Sequence, residues 1–481
     1  MSKERNWSPQ QAAIFDWFQN GSGNLVVRAR AGTGKTTTIL EGINRAPDAS
    51  ILLAAFNKRI AEELVSKLSN PRAEAKTLHA AGFGIVRRYW ENVRVDEKRD
   101  ADLAARVCGQ VPDAILRLVA KLAVRAKESL PFGTLDEMIA LAEAIECVPD
   151  DEWEDDGYDA TYVAMKALQQ MGASKARDGR VSFADMLFVP VANGWVKPRF
   201  DLVVIDEAQD MGATQLLLAQ KLSRSRVVVV GDDRQAIYGF RGADSGSIDR
   251  MKSELGAVEL GLTITYRCPR VVVAHAARLV LDYAAAETAP EGTISTIKPD
   301  ALTDAAGAGD FVLSRKNAPL AGTCLGFLRA GKRARIEGRD VGAGLVAIVR
   351  KLKAKSMPDF VAKLTRWMDR EIVRAKGRKN PDARISLVTD QAETLQAIAE
   401  GLTGVPELVT RIEGLFVDTN GAGHADVIVC SSVHKAKGLE AERVFILEAT
   451  LYPRGNREER EEQNIEYVAV TRAKSELVWV A

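Results

Sequence analysis

Short apolar runs alternate along this chain with segments in which apolar residues recur at helical spacing. Runs of strand length, rich in Val, Ile and Leu, occur in the first half at Leu25–Arg28, Ile51–Ala55, Leu202–Ile205 and Val227–Val230. A second set occurs later, at Phe311–Ser314, Val427–Ser431, Val444–Leu447 and Leu477–Val480. Strands without polar alternation, separated by helical patterns, are typical of parallel sheets covered by helices on both faces. The pattern therefore predicts an α/β fold with two parallel-sheet domains.

Two long segments interrupt this alternation. Residues 90–180 have helical periodicity and few strand signals, and residues 346–424 are helical, basic and broken by Gly and Pro. We expect each segment to be a mainly helical insertion, one in each α/β domain. This organisation predicts two domains in six pieces, with the boundaries 1–89, 90–180, 181–262, 263–345, 346–424 and 425–481.

The amino-acid composition excludes few classes of function. The chain has 481 residues, which favours two to four domains, and its 66 basic residues are balanced by 65 acidic ones. Net charge alone therefore gives no reason to expect a nucleic-acid partner. Charge is nevertheless uneven, because residues 148–160 are acidic and residues 350–379 are basic. A solvated helix face is the simplest interpretation of either run by itself.

We expect the protein to lie in a reducing cytoplasm and not in a membrane. No apolar run approaches the roughly 18 residues that a membrane span needs. The first residues are charged and polar, with no apolar stretch after them, so we expect no secretory signal. The five cysteines are scattered, and they form no CxxC pair and no metal-spaced cluster with histidine, which argues against structural zinc.

The strongest chemical motif follows the first predicted strand. Residues 29–36 read ARAGTGKT, and a helical pattern occupies residues 37–44. A glycine-rich loop between a strand and a helix is the context that a phosphate-binding loop requires. Ala29 replaces the first glycine of the usual pattern. A chance glycine-rich turn is the alternative, but the intact GKT and the flanking elements favour a phosphate loop.

Each residue type in this loop suits the binding of a nucleoside triphosphate. Gly32 and Gly34 allow the backbone to turn its N–H groups toward phosphate oxygens at the N-terminus of a helix. Lys35 is placed to bridge the β- and γ-phosphates, and the hydroxyl of Thr36 is placed to ligate Mg²⁺. The loop thus predicts an NTPase.

Acidic residues after the next buried strands complete a hydrolytic site. Asp206 and Glu207 directly follow the strand that ends at Ile205. Carboxylates at the C-terminal end of a parallel strand face the ligand crevice, so we expect Asp206 to hold Mg²⁺ and Glu207 to accept a proton from the attacking water. Gln235, after Val227–Val230, could reach the γ-phosphate or the water. By themselves these acids would more often form a helix cap.

An ordered set of motifs from residue 7 to residue 474 resembles the UvrD/Rep/PcrA class of superfamily 1A DNA helicases. Its order, and its span over nearly the whole chain, make the resemblance specific. The residues of these motifs resemble those of the F-box DNA helicase and phage-like branches more closely than those of UvrD itself. The motifs are WSPQQ at 7–11, FNK at 56–58, TLH at 77–79, DEAQD at 206–210, GDDRQAIYGFRG at 231–242, TYR at 265–267, VHKAKGLE at 433–440 and YVAVTRAK at 467–474.

The resemblance implies a complete ATP site. It implies that Gln10 reads adenine, that Tyr266 stacks on it, that Glu440 contacts the ribose, and that Arg267 and Arg472 act as arginine fingers. A finger arginine is typically worth about 10³–10⁵ in rate. The predicted catalytic residues are Lys35, Asp206, Glu207, Gln235, Arg267 and Arg472. The predicted ATP-binding residues are Gln10, Ala31, Gly32, Thr33, Gly34, Lys35, Thr36, Thr37, Tyr266, Arg267, Glu440 and Arg472. Thr37 stands where UvrD and PcrA carry an arginine, which puts one phosphate contact in doubt.

The resemblance also implies contacts with single-stranded DNA, in which aromatic side chains act as stacking platforms. The predicted DNA-binding residues are Phe56, Asn57, His79, Tyr238, Phe240, Arg241, Arg315 and Asn317. Core packing is an equally good interpretation of each aromatic residue taken singly. Trp367, in the basic segment, is another aromatic of this kind, and core packing is its simpler interpretation.

These motifs predict a motor with two RecA-like domains that bind Mg²⁺ and ATP between them and move along single-stranded DNA. By resemblance we expect 3′→5′ movement, action at single-strand/duplex junctions, a monomeric state and a protein loading partner that the residues do not identify. The segment 346–424 is shorter than its counterpart in UvrD, Rep or PcrA, so the strength of unwinding stays open. The alternatives are a translocase that strips proteins from DNA, an RNA-directed motor and a non-catalytic DNA-binding scaffold with a degenerate ATP site.

Overall fold

A computed structural model describes most of the chain. The described residues are 6–55, 57–145, 147–149, 156–237, 246–376, 381–417, 425–452 and 459–481. They divide into two units. The first unit comprises the residues up to Arg30 together with Gly34–Leu262, and the second comprises Ala31–Thr33 together with the residues from Thr263 onward. None of the described helices is both long and apolar enough to cross a membrane.

The first unit contains a parallel sheet with helices on both faces. Its strands are β1 (Leu25–Ala29), β2 (Ile51–Ala55), β3 (Ala73–Thr77), β4 (Arg94–Val95), β5 (Arg180–Val181), β6 (Phe200–Ile205), β7 (Ser223–Gly231) and β8 (Val258–Leu262). Its helices are α1 (Pro9–Asn20), α2 (Lys35–Arg45), α3 (Lys58–Lys67), α4 (Leu78–Tyr89), α5 (Arg99–Cys108), α6 (Asp113–Ser129), α7 (Leu135–Ala144), α8 (Ala160–Ser174), α9 (Phe183–Ala192), α10 (Ala213–Leu222) and α11 (Ser247–Leu255). Among the described residues, six strands form the main sheet in the order β3-β2-β6-β7-β1-β8, and all neighbours are parallel.

Alternate residues of the central strands of this sheet enter two different cores. Val26, Val203 and Val229 belong to the core on one face, and Leu25 and Val204 belong to the core on the other. A sheet buried on both faces needs apolar side chains at successive positions, which explains the continuous Val/Ile/Leu runs. This arrangement confirms the predicted parallel α/β fold for the first unit.

The segment 90–180 is mainly helical in the structure. Helices α5 to α8 surround a core that includes Val119, Leu122 and Val163, and this core extends to Phe188 on α9. The short strands β4 and β5 pair in parallel where the segment leaves and rejoins the unit. The helices thus form a body with its own core beside the sheet.

The second unit is also built on a parallel sheet. Its strands are β9 (Ile264–Thr265), β10 (Ala284–Ala285), β11 (Thr293–Ile297), β12 (Phe311–Ser314), β13 (Ala334–Glu337), β14 (Phe416–Val417), β15 (Ile428–Ser432), β16 (Ala441–Leu447) and β17 (Ala473–Val480). Its helices are α12 (Arg270–Ala276), α13 (Leu302–Ala305), α14 (Asn317–Arg329), α15 (Arg339–Leu352), α16 (Met357–Lys376), α17 (Pro381–Ala399), α18 (Val405–Leu415) and α19 (Arg460–Val470). The described strands of the larger sheet follow the order β11-β17-β16-β12-β15-β13-β14, with parallel neighbours. The second predicted parallel sheet is therefore confirmed.

The helices of residues 346–424 share one core with this sheet. Phe360 on α16, Leu395 on α17 and Ile412 on α18 belong to the same buried cluster as Phe445 of β16. Trp367 belongs to this cluster as well and is 6% exposed. Its burial fits core packing, and it leaves no exposed ring face for stacking.

Candidate functional site

Three loops that carry predicted site residues emerge from one edge of the first sheet. In the parallel register, Arg28 of β1 lies opposite Gly231 of β7, and Ile205 of β6 lies opposite Val229 of β7. The phosphate loop follows β1, Asp206 follows β6, and the segment from Asp232 follows β7. Because the strands are parallel and in register, these three strand ends lie side by side at the carboxyl edge of the sheet.

The loop after β1 has the backbone geometry that its glycines predict. Gly32 has a φ of 70° and Gly34 a φ of 79°, both in the left-handed region that favours glycine. Within the second unit, a Cβ added at Gly32 would lie 2.5 Å from Oγ1 of Thr265 and 2.5 Å from Cβ of Arg267. Position 32 therefore requires glycine for both its backbone angle and its close contacts.

Helix α2 begins at Lys35, directly after this loop, and carries Thr36 and Thr37 half-buried in its first turn. The N-terminus of a helix favours anions because its first amide groups lack helical partners. Of the loop residues predicted to bind ATP, Ala31 and Thr33 are buried. The amide of Ala31 donates to the hydroxyl of Tyr467, 2.9 Å away, within the second unit.

Lys35 and Glu207 form an ion pair at this edge, with 2.8 Å between Nζ and Oε1. Burial lowers the pKa of Lys35, but the charges of Glu207 and Asp206 outweigh it and raise the pKa above its usual value. Burial, together with the charge of Glu207, raises the pKa of Asp206 to about 6, against the lowering effect of Lys35. One ammonium thus faces two carboxylates, and the pair brings together residues that are 172 positions apart.

Glu207 is held in an unusual backbone conformation. Its φ of 53° lies in the left-handed region, which non-glycine residues rarely adopt. Nε2 of Gln209 donates to Oε2 of Glu207 at 2.6 Å, and Oε1 of Gln209 accepts from the amide of Asp232 at 3.0 Å. A Cβ on Gly231 would lie 2.7 Å from Oε1 of Gln209, so glycine at 231 permits this bridge. Outliers of this kind concentrate at functional sites.

The segment after β7 forms a buried polar network. Nε2 of Gln235 donates to Oδ2 of Asp232 at 2.7 Å, and Nη1 of Arg30 contacts Asp232 at 3.0 Å and Asp233 at 2.8 Å. Burial raises the pKa of Asp232, whereas for Asp233 the charge of Arg30 outweighs burial and lowers the pKa. The network holds Gln235 at the edge where Lys35 and Glu207 meet.

The start of α1 lies beside the phosphate loop. Ser8 and Gln11 form a capping box at the N-terminus of α1. Nε2 of Gln11 donates to Oγ1 of Thr38 on α2 at 3.0 Å and would lie 3.6 Å from a Cβ on Gly34. Gln10, the predicted adenine reader, is half-buried in the first turn of α1. The sequence singled out Gln10, and the structure adds Gln11 as the residue that ties α1 to α2.

Three predicted nucleotide residues, Tyr266, Arg267 and Glu440, lie close together within the second unit. Nε of Arg267 lies 2.6 Å from Oε2 of Glu440, and Glu440 also pairs with Lys474 at 2.7 Å. Tyr266, beside Arg267, is 50% exposed. Burial raises the pKa of Glu440, but the charges of Arg267 and Lys474 outweigh it, so the pKa is lowered. The side chain of Tyr266 is therefore open to a flat ligand, and Arg267 is held by a carboxylate.

Arg472 lies deeper in the same unit and is 1% exposed. It donates to the carbonyl oxygens of Val468 at 2.9 Å and Leu439 at 3.0 Å. Burial and the nearby charge of Arg267 lower the pKa of Arg472 to about 10. Its guanidinium thus links α19 to the loop before β16, a structural role that the sequence did not predict.

The predicted DNA contacts are only partly described. Phe56, Tyr238, Phe240 and Arg241 lie outside the described residues. The structure describes the other four, which are Asn57, His79, Arg315 and Asn317.

Asn57 and His79 lie at the starts of two helices in the first unit. Asn57 caps α3 by accepting from the amide of Ile60 at 2.9 Å, and it is exposed. His79 lies in the first turn of α4, and burial lowers its pKa. Its ring contacts the edge of the Phe183 ring with 6.4 Å between centroids, and Phe183 is 55% exposed. Phe183 is an exposed aromatic residue beside a predicted DNA contact, which sequence reasoning missed because it lies 104 positions from His79 in the printed sequence.

Arg315 and Asn317 are held by carboxylates within the second unit. Arg315 pairs with Glu462 of α19 at 3.0 Å. The side-chain amide of Asn317 donates to Asp390 of α17 at 3.0 Å, and its backbone amide donates to the same carboxylate at 2.9 Å. Both residues therefore connect elements of the second unit.

Comparison with known proteins matches an N-terminal and a C-terminal region of the chain to helicase domains. Residues 7–256 match the family model of the UvrD/REP helicase N-terminal domain, and residues 384–481 match that of the UvrD-like helicase C-terminal domain. The chain is 22% identical to F-box DNA helicase protein 1 of Schizosaccharomyces pombe over 98% of its own length and 57% of that protein. It is 26% identical to DNA helicase IV of Escherichia coli over 54% of its length and 45% of that protein. It is 28% identical to the ATP-dependent DNA helicase UvrD2 of Mycobacterium tuberculosis over 54% of its length and 41% of that protein. The chain thus spans about half the length of these curated relatives.

Proposed function

This chain belongs to the UvrD/Rep helicase family, and from that premise we propose that it is an ATP-dependent DNA helicase or translocase that moves along single-stranded DNA. The observation that carries the proposal is the Lys35–Glu207 pair at the N-terminus of α2. A lysine, a strained acidic residue and a helix N-terminus at the carboxyl edge of a parallel sheet suit triphosphate hydrolysis. The relatives compared above are all named as DNA helicases, which supports DNA as the nucleic acid along which the protein moves.

Lys35 and Glu207 exchange partners in the proposed reaction. A triphosphate at the helix N-terminus competes with Glu207 for the ammonium group of Lys35, because phosphate oxygens carry more negative charge than one carboxylate. Once Lys35 turns to the β- and γ-phosphates, Oε1 of Glu207 is released to accept the proton of the attacking water. Gln209 keeps the second oxygen, Oε2, fixed through its 2.6 Å hydrogen bond.

The residues present fit a bound Mg²⁺ ion. Asp206 is 4% exposed, and burial raises its pKa to about 6, so a nearby divalent cation would relieve the cost of its charge. Asp206 and Thr36 would hold the ion, which supplies charge neutralisation on the β- and γ-phosphates. Lys35 would add a second positive charge at the same phosphates, and Gln235 would orient the water.

We propose that the two arginines of the second unit contribute unequally to catalysis. Arg267 is held by the partly exposed carboxylate of Glu440, and it can exchange that partner for phosphate at small cost. Arg472 would first have to release the carbonyl oxygens of Val468 and Leu439. We therefore assign the main finger role to Arg267 and a supporting role to Arg472, with Tyr266 against adenine, Glu440 at the ribose and Gln10 at the adenine edge.

The finer properties of the motor follow family resemblance. The proposal includes 3′→5′ movement, a preference for single-strand/duplex junctions, a monomeric state and a cytoplasmic location, with a loading partner that remains to be identified. Asn57, His79, Arg315 and Asn317 belong to the proposed DNA path, together with Phe56, Tyr238, Phe240 and Arg241.

One observation favours a protein-stripping translocase as a second candidate. The described helices of residues 346–424 share a single core with the sheet of the second unit, whereas the resemblance associates this region with the control of unwinding. A short segment built into the unit has less surface for gripping duplex DNA. We therefore expect translocation to be strong and strand separation to be weaker.

ATP hydrolysis measured with and without single-stranded DNA tests the proposal. We expect strong stimulation by DNA, a weaker response to RNA of the same sequence, and loss of about 10²–10⁴-fold in kcat for Glu207→Gln. Glu41→Gln is the control, because Glu41 forms an ordinary surface pair with Arg45 on the same helix as Lys35. No hydrolysis under either condition would favour the scaffold alternative. Displacement of streptavidin from 3′- or 5′-biotinylated strands, compared with separation of a short duplex, then distinguishes polarity and stripping from unwinding.

A further inference from the structure

A cavity of about 380 Å³ lies on the first unit, along one side of α4. It is lined by α4, by the segment that leads into β6 and by the residues around the start of β7. The phosphate loop and Glu207 follow the other, carboxyl ends of β1 and β6. The cavity is therefore a feature separate from the proposed ATP site.

The charge around this cavity is one-sided. Of the described residues that line it, none is acidic and five are cations, namely Lys76, Arg88, Lys197, Arg199 and Arg224. The whole chain has a net charge of only +1, so this concentration is not the by-product of a basic protein. A concave surface lined by one sign of charge focuses the electrostatic potential and attracts ions of the opposite sign.

Two of these cations are available for a ligand. Lys76 pairs with Glu74 at 2.9 Å, Arg199 lies 3.9 Å from the same carboxylate, and Arg224 pairs with Asp201 at 3.3 Å. Arg88 and Lys197 are exposed, and neither forms an ion pair with any residue in the described parts of the chain. Their charges can therefore be neutralised by an external anion without breaking an internal pair.

The cavity also presents a fixed aromatic surface. The Tyr89 ring stacks on the Trp195 ring, with 4.5 Å between centroids and 7° between planes, and Trp195 contacts the edge of Trp90. Tyr89 is nevertheless 46% exposed. Because Trp195 covers one face of Tyr89, the exposed part belongs to the opposite face and the ring edge, where a second flat group can stack.

Small residues keep the cavity open. Ala80, Ala81 and Gly84 occupy the same side of α4 as Arg88, and a Cβ added to Gly84 would meet no atom within 4 Å. Glycine in the middle of a helix costs about 0.5–1 kcal/mol relative to alanine, so its presence at an open position is not explained by stability. A volume of about 380 Å³ falls within the roughly 300–1,000 Å³ of small-ligand sites.

We propose that this cavity binds one nucleotide of a single nucleic-acid strand, with its base on Tyr89 and its phosphate oxygens on Arg88 and Lys197. A flat apolar face beside unpaired cations is the combination that binds single strands without reading their sequence. The cavity is too small for a duplex. The contact concerns the DNA partner of the proposed function and rests on that function.

The position of the cavity fits a path along α4. His79, one of the predicted DNA contacts, lies in the first turn of this helix, and Tyr89 is its last residue. Ten helical residues rise about 15 Å, so a strand that touches His79 needs only a short extension to reach the cavity. The proposal thus lengthens the DNA footprint on the first unit rather than adding an unrelated ligand.

Binding of fluorescent oligo-dT to the full-length chain tests the proposal, with two neighbouring arginines as a matched pair. Arg88 lines the cavity, whereas Arg87 is exposed on the same helix but does not line it. For Arg88→Glu combined with Lys197→Glu we expect about tenfold weaker binding, and a salt slope that is lower by about 0.7 for each lost phosphate contact. Arg87→Glu should stay within about twofold of the parent, since its salt-screened charge acts at a distance.

Two further variants separate the ring from the charges. Tyr89→Ala should weaken binding by roughly fivefold or more without changing the salt slope, because base stacking involves no counterion release. Gly84→Trp fills the cavity while every charge remains, and it should reproduce the loss. Thermal unfolding and DNA-independent ATP hydrolysis, measured on each variant, should match the parent.

Each remaining outcome counts against the proposal in a distinct way. Equal binding by the Arg87→Glu variant and by the Arg88→Glu/Lys197→Glu variant would overturn the cavity contact while the proposed function stands. Displacement of oligo-dT by micromolar dTMP, dependent on Arg88, would show a site for free nucleotide and overturn the strand assignment. Failure of the parent chain to bind any oligonucleotide would overturn the proposed function together with this contact.

Discussion

At the scale of single residues, Gln209 gives the proposed catalytic centre its geometry. It bridges Oε2 of Glu207 and the backbone amide of Asp232, so one side chain connects the strand ends of β6 and β7. Glu207 holds a left-handed backbone angle, which typically costs about 1–3 kcal/mol and persists only when the surroundings enforce it. Gln209 is therefore a positioning residue for the carboxylate that we propose as general base.

Removing this bridge should lower turnover more than ATP binding. For Gln209→Ala we expect kcat to fall by about tenfold or more, with KM for ATP changed by less than about threefold, because Lys35 and the helix N-terminus still bind phosphate. Steady-state kinetics at saturating single-stranded DNA measure this split. Gln209→Glu should not rescue, since a carboxylate would repel Glu207. Equal changes in kcat and KM would contradict a positioning role.

Phe183 is the second residue whose role emerges from its neighbours. It is 55% exposed and touches the ring of His79. Phe183→Ala should weaken binding of single-stranded DNA by about 1–3 kcal/mol, the usual value of one base-stacking contact. Phe132→Ala is the control, because Phe132 is 65% exposed on the same unit without such a neighbour among the described rings. Fluorescence titration at fixed salt measures the difference, and equal effects of the two substitutions would remove Phe183 from the DNA path.

At the scale of elements, a buried ionic cluster joins the helical segment to the sheet-bearing part of the first unit. Asp185 on α9 contacts Arg99 of α5 and lies 2.7 Å from Lys127 of α6, and both cations are fully buried. Burial raises the pKa of Asp185, but Lys127 and Arg99 outweigh it, so the pKa is lowered below its ordinary value. Three elements thus meet at one carboxylate, and each cation has a second carboxylate partner as well.

Asp185→Asn should destabilise the first unit by up to about 3–5 kcal/mol, because two buried cations lose the charge they share and each retains only one carboxylate partner, Asp178 for Arg99 and Asp100 for Lys127. Since the folded pKa is lowered, the stabilisation is fully present above the ordinary carboxyl pKa of about 4 and is lost as the pH falls through the folded pKa. The difference from the parent should therefore shrink in acid. Hydrogen exchange in α5, α6 and α9 measures it at each pH.

Asp102→Asn is the matched control for this cluster. Asp102 pairs with Arg180 at 2.6 Å but is half-exposed, and a surface pair contributes about 0–1 kcal/mol. Similar losses of protection for the two substitutions would show that burial of the cations does not control the cluster.

At the scale of the whole molecule, the balance of 66 basic and 65 acidic residues means that the proposed attraction to DNA must be local. We propose the basic segment 350–379 as one source of this attraction, and a solvated helix face is the alternative. On α16 its described cations are mostly exposed, and two of them pair within the helix, Lys363 with Asp359 and Arg374 with Glu371. Arg378 and Lys379 lie outside the described residues.

Neutralising Lys376, Arg378 and Lys379 should weaken binding to a forked DNA more than binding to a single strand. The slope of log K against log salt should fall by up to about 0.9 for each lost contact with duplex phosphate. Titrations of a fork and of its isolated single strand across a salt series measure both effects. Unchanged fork binding at every salt concentration would assign these charges to a solvated helix face.

The interior strands show how far local pattern reaches. β1, β2, β6 and β7 are apolar at successive positions because both faces of the sheet are covered, and the sequence predicted each of them. The edge strands β3, β8, β11 and β14 were not predicted, and neither was β13, which lies next to the edge strand β14. One side of an edge strand lacks a neighbour, so β3 can read AEAKT with no fully buried residue. The predicted fold class was correct because it depends on the central strands of each sheet, which the sequence predicted.

The sequence by itself determined the family, the glycine-rich loop between β1 and α2 and the position of the acidic residues after β6, because motifs and a strand, loop and helix in succession are local features of the chain. Tertiary structure alone decided that Gln209 bridges two strand ends, that Trp367 is buried and that Arg472 donates to backbone carbonyls. It also brought Tyr89 and Trp195 together beside unpaired cations. The contacts from Gln209 to Asp232, from Arg472 to Leu439 and from Tyr89 to Trp195 join residues that are distant in sequence. Strand order and packing fix these contacts, and local hydrophobic periodicity carries no information about either.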